Sequence, residues 1–144
     1  MKKSYHFAVW LRRAPITAFG RKANASIAVE FALISPILIA MIGALIDFSF
    51  IYYTFNSAQQ SGWQVARQVA IGQLQATNAA STVRNQLPAW VQSKAVIPPV
   101  VLSNGIYTVT VTIAISDATP IKFLKTVYGP STLTTKASFI SEGG

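Results

Sequence analysis

A long apolar run constrains this chain more than any other feature of its sequence. The run covers residues 26–55 and is interrupted by two acids, Glu30 and Asp47. A helix rises roughly 1.5 Å per residue and the hydrocarbon core of a bilayer is about 30 Å thick, so about twenty residues cross it. Residues 31–52 supply that length. The run therefore predicts a membrane-spanning helix.

The net charge of +8 is concentrated before this run. Six of the twelve basic residues precede Ser26 with no acid among them, whereas the rest of the chain holds six basic residues and all four acids. Basic residues beside a span keep that end in the cytoplasm. The charge therefore predicts a cytoplasmic N-terminus and an exported C-terminal part. A basic arm that binds nucleic acid or anionic lipid is the alternative, and the adjacent span disfavours it.

The length of 144 residues leaves room for one membrane helix and one small exported domain. We expect a basic leader at residues 1–25, a transmembrane helix at residues 26–55, and a helical stem with a small α+β domain at residues 56–144. Pro36 lies inside the predicted membrane helix, where it favours a kink.

The stem is predicted to continue the helix beyond the membrane. Residues 56–75 contain no proline, and they place apolar residues three or four positions apart: Trp63, Ala66, Ala70 and Leu74. A second helix should begin near Asn78, which is a good N-cap residue, and Pro88 should kink or split it. Its apolar face would carry Val83, Leu87 and Trp90.

The apolar pattern changes to a period of two after Val96. Two strands flank the pair Asn104-Gly105, which suits a type I′ turn, and in the second strand apolar residues alternate with threonines. Residues 121–128 are expected to form a short helical connection with Phe123, Leu124 and Val127 facing inward, and residues 132–141 a third strand. We therefore predict an α+β fold in which a long N-terminal helix, first transmembrane and then stem, packs on a small antiparallel sheet of about three strands.

The residues that catalysis would require do not converge anywhere in the sequence. The chain has no Cys, its one His is His6, and its acids stand apart at positions 30, 47, 117 and 142. A general acid–base pair, an activated nucleophile or a metal cage each needs at least two such groups together. We therefore predict that the protein is not an enzyme, and that it has no catalytic residue, no metal site and no cofactor. We also expect no nucleic acid and no small-molecule substrate among its partners.

The residues around Glu30 follow a specific order. A basic pair at positions 21–22 is followed by small residues up to Ala25, and Glu30 stands fifth counted from Ser26, directly before Phe31. This order resembles the processing site of type IV prepilins. The phrase SIAVEFALISPILIAMIGALIDF is similar to the TadE-like minor pseudopilins of the tight-adherence (Flp) pilus system, and GWQVARQVA at residues 62–70 shares in that resemblance.

The resemblance implies a non-catalytic component in the assembly of a Flp-type pilus or a related secretion apparatus. A prepilin peptidase would cut between Ala25 and Ser26, where the family usually has Gly before the cut and Ala25 keeps the small size. The protein would lie in the bacterial inner membrane, with a cytoplasmic N-terminus and a periplasmic domain, or be incorporated into the pilus. Its implied partners are the peptidase, other pilins or pseudopilins and the pilus assembly platform. In a helical bundle the new ammonium of Ser26 would pair with Glu30 of a neighbouring subunit.

Asp47 and Arg67 are further candidates for assembly or membrane contacts. An aspartate at the centre of a span costs roughly 2.5–3.5 kcal/mol, so Asp47 should be hydrated near the far interface or face a protein partner. Arg67 lies on the stem, where it would pair with a lipid phosphate or a carboxylate, or remain solvated.

Two other interpretations stay open. The chain could be an uncleaved single-pass membrane protein whose exported domain binds an envelope partner. It could also be a secreted binding module whose residues 26–55 are an overlong signal peptide, cut near Ala58. Signal peptides have apolar regions of about 7–15 residues, which disfavours the second interpretation. Glu30 favours the pilin interpretation over the first, because an uncut anchor does not need an acid there.

Overall fold

The structure, a computed structural model, describes residues 18–141, with side chains from Ser26 onward. Its elements in chain order are α1 (Ala18–Ala70), α2 (Ala76–Gln86), α3 (Ala89–Gln92), β1 (Val101–Ser103), β2 (Ile106–Ala114), a 3₁₀ turn (Ile115–Asp117), α4 (Lys125–Tyr128) and β3 (Thr132–Ile140). The predicted α+β class, with one long N-terminal helix and three strands, is confirmed. The chain divides into two compact units, Met1–Ile39 and Ala40–Gly144. In the first, the described residues form the N-terminal part of α1.

Helix α1 begins at Ala18, earlier than Ser26, and includes Pro36. The last residues of the predicted leader are therefore helical, whereas residues 1–17 lie outside the described part of the chain. The helix ends before Gly72, whose φ of +72° favours glycine. The N–H groups of Gln73 and Leu74 then donate to the Gln68 carbonyl, which satisfies the end of the helix.

One face of α1 is buried within the second unit. Its buried residues recur every three or four positions, as a helix that packs along one side requires. They are Asp47, Ile51, Thr54, Ala58, Ser61, Gly62, Val65, Ala66, Val69 and Ala70. The expected stripe was right for Ala66 and Ala70, but Trp63 is 49% exposed and packs edge-on against Phe139, with ring centroids 5.2 Å apart. Strand β3 approaches this face closely at Gly62, where an added Cβ would lie 3.3 Å from the Ala137 Cβ.

The three strands form an antiparallel sheet in the order β1-β2-β3. The predicted alternation in β2 is confirmed, because Val109, Val111 and Ile113 are buried while the threonines between them are half-buried. On the threonine face, Thr108 hydrogen-bonds Ser138 of β3 at 3.0 Å. The sheet thus covers the apolar face of the stem with one side and presents a polar surface with the other.

The second helical region differs from the prediction at its start and agrees at its end. Helix α2 begins at Ala76 after Gln75, so Asn78 is not the N-cap; it lies in the first turn, where its carbonyl accepts the hydroxyls of Ser81 and Thr82. Pro88 separates α2 from α3 as expected. Val83 and Leu87 are buried in the core, and Trp90 packs against it while half-buried.

The turn between β1 and β2 yields a direct test of backbone conformation. Asn104 and Gly105 have φ of 50° and 75°, as a type I′ turn requires, and no atom lies within 4 Å of a Cβ added at Gly105. Gly105→Ala should therefore destabilise the domain by about 1 kcal/mol through backbone strain alone. Asn104→Gly is the control and should be close to neutral. Thermal unfolding in detergent micelles measures both, and equal stability of Gly105→Ala and the parent would contradict the turn.

Candidate functional site

The N-terminal half of α1 has the properties of a membrane anchor. Within residues 18–141, one helix is long and apolar enough to cross a bilayer, and the qualifying stretch is Ser26–Ala70. Its first part exposes large apolar side chains on all sides: Ile27, Val29, Phe31, Leu33, Ile34, Ile37, Leu38, Ile39, Met41, Ile42 and Leu45. A helix that is apolar around its circumference, and that the described side chains of residues 26–141 leave uncovered, requires an apolar environment.

The predicted processing residues lie on this exposed part of the helix. Ser26, Glu30 and Phe31 are exposed, and Ala25 lies in α1 at a position whose side chain is outside the described set. No ion pair joins Glu30 to another residue among positions 26–141. The Glu30 carboxylate is therefore accessible to a partner, and its pairing with a new N-terminus remains a prediction.

Asp47 is the best-defined polar group of the site. It is fully buried, its Oδ1 accepts the Thr119 hydroxyl at 2.5 Å, and its Oδ2 accepts the backbone N–H of Leu124 at 2.7 Å. Hydrogen bonds to an ionised acceptor are short and strong, and they offset part of the cost of burial. Asp47 thus finds its hydrogen-bond donors within its own chain, and its role in assembly or at the membrane remains a prediction.

The segment that contacts Asp47 is held by further hydrogen bonds from the helical elements. The Thr54 hydroxyl donates to the Ala118 carbonyl at 2.7 Å, and the Trp90 indole N–H donates to the same oxygen at 3.2 Å. Residues 118–124 are therefore attached to α1 at both Asp47 and Thr54. These contacts position a loop and contain no nucleophile or acid–base pair.

The expected connection at residues 121–128 needs correction. Only Lys125–Tyr128 is helical, because Lys122 has a φ of +58° and the Leu124 N–H donates to Asp47 rather than to a preceding turn. Phe123 and Val127, expected inside, are 47% and 72% exposed, whereas Leu124 is half-buried. The Phe123 ring lies against α1, where a Cβ added at Gly43 would be 2.9 Å from a ring carbon.

Charged groups surround the loop but do not form a reactive cluster. Lys94 Nζ lies 2.9 Å and Lys122 Nζ 3.6 Å from Asp117 Oδ1. The hydrogen bond from Lys94 lowers the pKa of Asp117, and the same contact raises the pKa of Lys94. Burial, and secondarily the negative charge of Asp47, raise the pKa of Tyr128. Both shifts favour the charged forms, so the contact between Asp117 and Lys94 is an ion pair at neutral pH.

Arg67 is separate from the Asp47 site. It is exposed in the last turn of α1, twenty residues beyond Asp47, which corresponds to about 30 Å along a helix. A basic side chain there interacts favourably with the helix dipole. It borders a shallow depression with Gln64, Gln68, Ile71 and Gln73. The structure therefore places Arg67 at the far end of the stem and does not bring it to Asp47.

Sequence reasoning did not identify Thr119 and Leu124 as partners of Asp47. They lie 72 and 77 residues away along the chain, and a threonine and a backbone N–H carry no distinctive pattern. One signal was available, since an isolated acid in an apolar helix requires donors from somewhere.

Comparison with known proteins finds a match in helix α1. Residues 25–70 match the family model described as TadE-like protein, so the resemblance stated from the sequence is confirmed for this segment. The match begins at Ala25 and includes both Glu30 and Asp47. No significant match was found among curated proteins or among solved structures.

Proposed function

We propose, from the TadE-like segment at residues 25–70, that this protein is a minor pseudopilin in the assembly of a tight-adherence pilus or a related secretion apparatus. TadE-like proteins are structural components associated with the Tad pilus. In this proposal α1 anchors the chain in the bacterial inner membrane, and the sheet and short helices form a periplasmic domain. Its partners are a prepilin peptidase, other pilins or pseudopilins and the assembly platform.

The observation that carries the proposal is the exposed apolar helix with an acid near its start. Ser26, Glu30 and Phe31 are exposed on a helix whose large apolar side chains up to Leu45 are not covered by any part of residues 26–141. Lipid would cover them before assembly, and the helices of neighbouring subunits would cover them afterwards. Cleavage after Ala25 would create an ammonium at Ser26 that can form an ion pair with the Glu30 carboxylate of a neighbouring subunit.

The contacts of the second unit disfavour the signal-peptide interpretation. A cut near Ala58 would remove Asp47, Ile51 and Thr54, all of which are buried against the rest of the domain. It would leave the Leu124 N–H and the Thr119 hydroxyl without their acceptor. An exported domain that uses these residues in its core requires that the helix remain attached.

Glu30 provides a test of the assembly role. Glu30→Leu should leave membrane insertion unchanged, because it makes the anchor more apolar, and should reduce assembled pili at least about tenfold by removing the carboxylate that pairs with the new N-terminus. Glu30→Gln, which has nearly the same shape without the charge, should have the same effect. Membrane fractionation measures insertion, and electron microscopy of surface pili measures assembly.

Gln60→Ala is the matched control, because Gln60 is an exposed polar residue of the same helix. It should change neither insertion nor assembly. Normal pilus numbers in Glu30→Leu would argue against the pairing role of Glu30.

A further inference from the structure

Residues 121–128, which we call the surface segment, combine exposed apolar side chains with basic ones. Ile121, Phe123 and Val127 are 52%, 47% and 72% exposed. Lys122 and Lys125 lie among them, and the segment contains no acid. Exposed apolar residues interleaved with lysines are typical of a surface that lies against lipid headgroups.

The surface segment is attached to α1 at a defined level. Phe123 packs against Gly43, and the Leu124 N–H donates to Asp47 one turn further along. At this level α1 still exposes large apolar side chains, since Ile42 is 57% and Leu45 65% exposed. Lipid that covers these helix residues would therefore also reach Phe123.

We infer that the surface segment lies on the bilayer, in the leaflet that faces the exported domain. Phe123 and Val127 enter the interfacial region, and the exposed Lys125 extends toward lipid phosphates, whereas Lys122 stays beside Asp117. This inference rests on the proposed function, in which α1 spans the membrane. In this arrangement the membrane-spanning part of α1 ends near Gly43, earlier than residue 52, where the sequence alone placed its end.

The length of the helix before this level is sufficient for a span. The twenty residues that end at Gly43 begin at Asn24, directly after the basic pair at positions 21–22. The residues that follow Gly43 then lie at or outside the interface. Asp47, which would be costly in hydrocarbon, is enclosed there by its two hydrogen bonds.

Aromatic residues mark the next two turns. The Trp90 ring lies 5.6 Å from the Phe50 ring and 6.1 Å from the Tyr53 ring, measured between centroids. Ile46 and Ser49 complete the apolar groove of ≈ 480 Å³ beside them. Trp and Tyr are enriched at the membrane–water boundary, so their place beyond Gly43 agrees with a bilayer surface at the level of the surface segment.

Site-directed spin labelling tests this inference directly, because the chain has no cysteine and each single variant carries one label. Val127→Cys places a nitroxide on the surface segment, and Asn85→Cys places one on the exposed side of α2 as the matched control. Ile34→Cys reports on the anchor itself. The full chain is reconstituted into vesicles of phosphatidylethanolamine and phosphatidylglycerol, and the accessibility of each label to oxygen and to a neutral nickel chelate is measured.

We expect the label at position 127 to be several-fold less accessible to the chelate than the label at position 85, and more accessible to oxygen. Equal chelate accessibility at positions 127 and 85, with position 34 shielded, would overturn the inference and leave the membrane anchor intact. A chelate-accessible position 34 would instead overturn the anchor and the proposed function. Shielding at position 127 with dipolar broadening that disappears on dilution with unlabelled protein would show that a second copy covers the segment, which also overturns the inference.

Substituting lysines in the spin-labelled Val127→Cys variant tests the contact with lipid headgroups independently. Lys125→Gln should increase chelate access to the label in vesicles that contain phosphatidylglycerol and have no effect in vesicles of phosphatidylcholine alone. Lys136→Gln removes the same charge from the exposed side of β3. It should leave chelate access to the label at position 127 unchanged in both kinds of vesicle. Equal effects of the two substitutions would contradict the headgroup contact of Lys125.

Discussion

Replacing Asp47 by alanine is expected to loosen residues 119–124 from α1 and to destabilise the domain by roughly 2–4 kcal/mol. The substitution leaves the Thr119 hydroxyl and the Leu124 N–H without their acceptor, and each lost bond to a charged group contributes about 1.5–3 kcal/mol. The gain from no longer burying a carboxylate offsets part of this loss. Thermal unfolding in micelles, followed by near-ultraviolet circular dichroism, measures the total effect.

Limited trypsin digestion gives the local readout for the same substitution. Lys122 and Lys125 lie in the segment that Asp47 holds, so cleavage after them should become faster in Asp47→Ala than cleavage elsewhere. Thr119→Val removes one of the two donors and should show a smaller change in the same direction. Ser49→Ala is the control, because Ser49 is an exposed position on the same helix and its hydroxyl donates to the Leu45 carbonyl of that helix. Unchanged unfolding and unchanged cleavage in Asp47→Ala would contradict the role of Asp47 in holding the loop.

Replacing Ala25 by phenylalanine is expected to abolish maturation. The resemblance to prepilins places a small residue directly before the cut, and a protease subsite shaped for Gly or Ala excludes an aromatic ring. Discrimination of this kind reduces the cleavage rate at least about tenfold. Uncut protein keeps its leader and has no ammonium at Ser26, so assembly should fail together with cleavage.

Ala25→Gly is the matched variant for this experiment. It restores the residue that the family usually has at this position and should be cut at least as fast as the parent chain. Immunoblots of membranes that contain the peptidase separate the precursor from the mature form. Normal maturation of Ala25→Phe would rule out the proposed cut site.

Much of the fold could be predicted because local patterns determine it. The long helix follows from a sustained apolar run, the hairpin from Asn104-Gly105, the buried face of β2 from its alternation and the end of α2 from Pro88. Each of these depends on residues close together in the chain, for which spacing and backbone preference are sufficient. The start of α2 was predicted less well, because a good capping residue such as Asn78 can also lie inside a first turn.

The contacts of Asp47 could not be predicted, because they join distant parts of the chain. Its carboxylate oxygens accept hydrogen bonds from the Thr119 hydroxyl and the Leu124 backbone N–H. Every residue except proline has a backbone N–H, so the second donor carries no sequence signal. The same contact explains why Phe123 and Val127 were placed wrongly. Their spacing fits a helix, but the Leu124 N–H bonds to α1, so the helix begins only at Lys125 and both side chains remain exposed.

The most direct test of the proposed function is the N-terminus of the mature protein. Intact mass and N-terminal sequence would be determined for the full chain isolated from membranes that contain its prepilin peptidase, and from matched membranes that lack it. The proposed function predicts a chain that begins at Ser26 in the first sample and at the uncut leader in the second. An uncut leader in both samples would contradict it and would favour a membrane-anchored domain that is never processed.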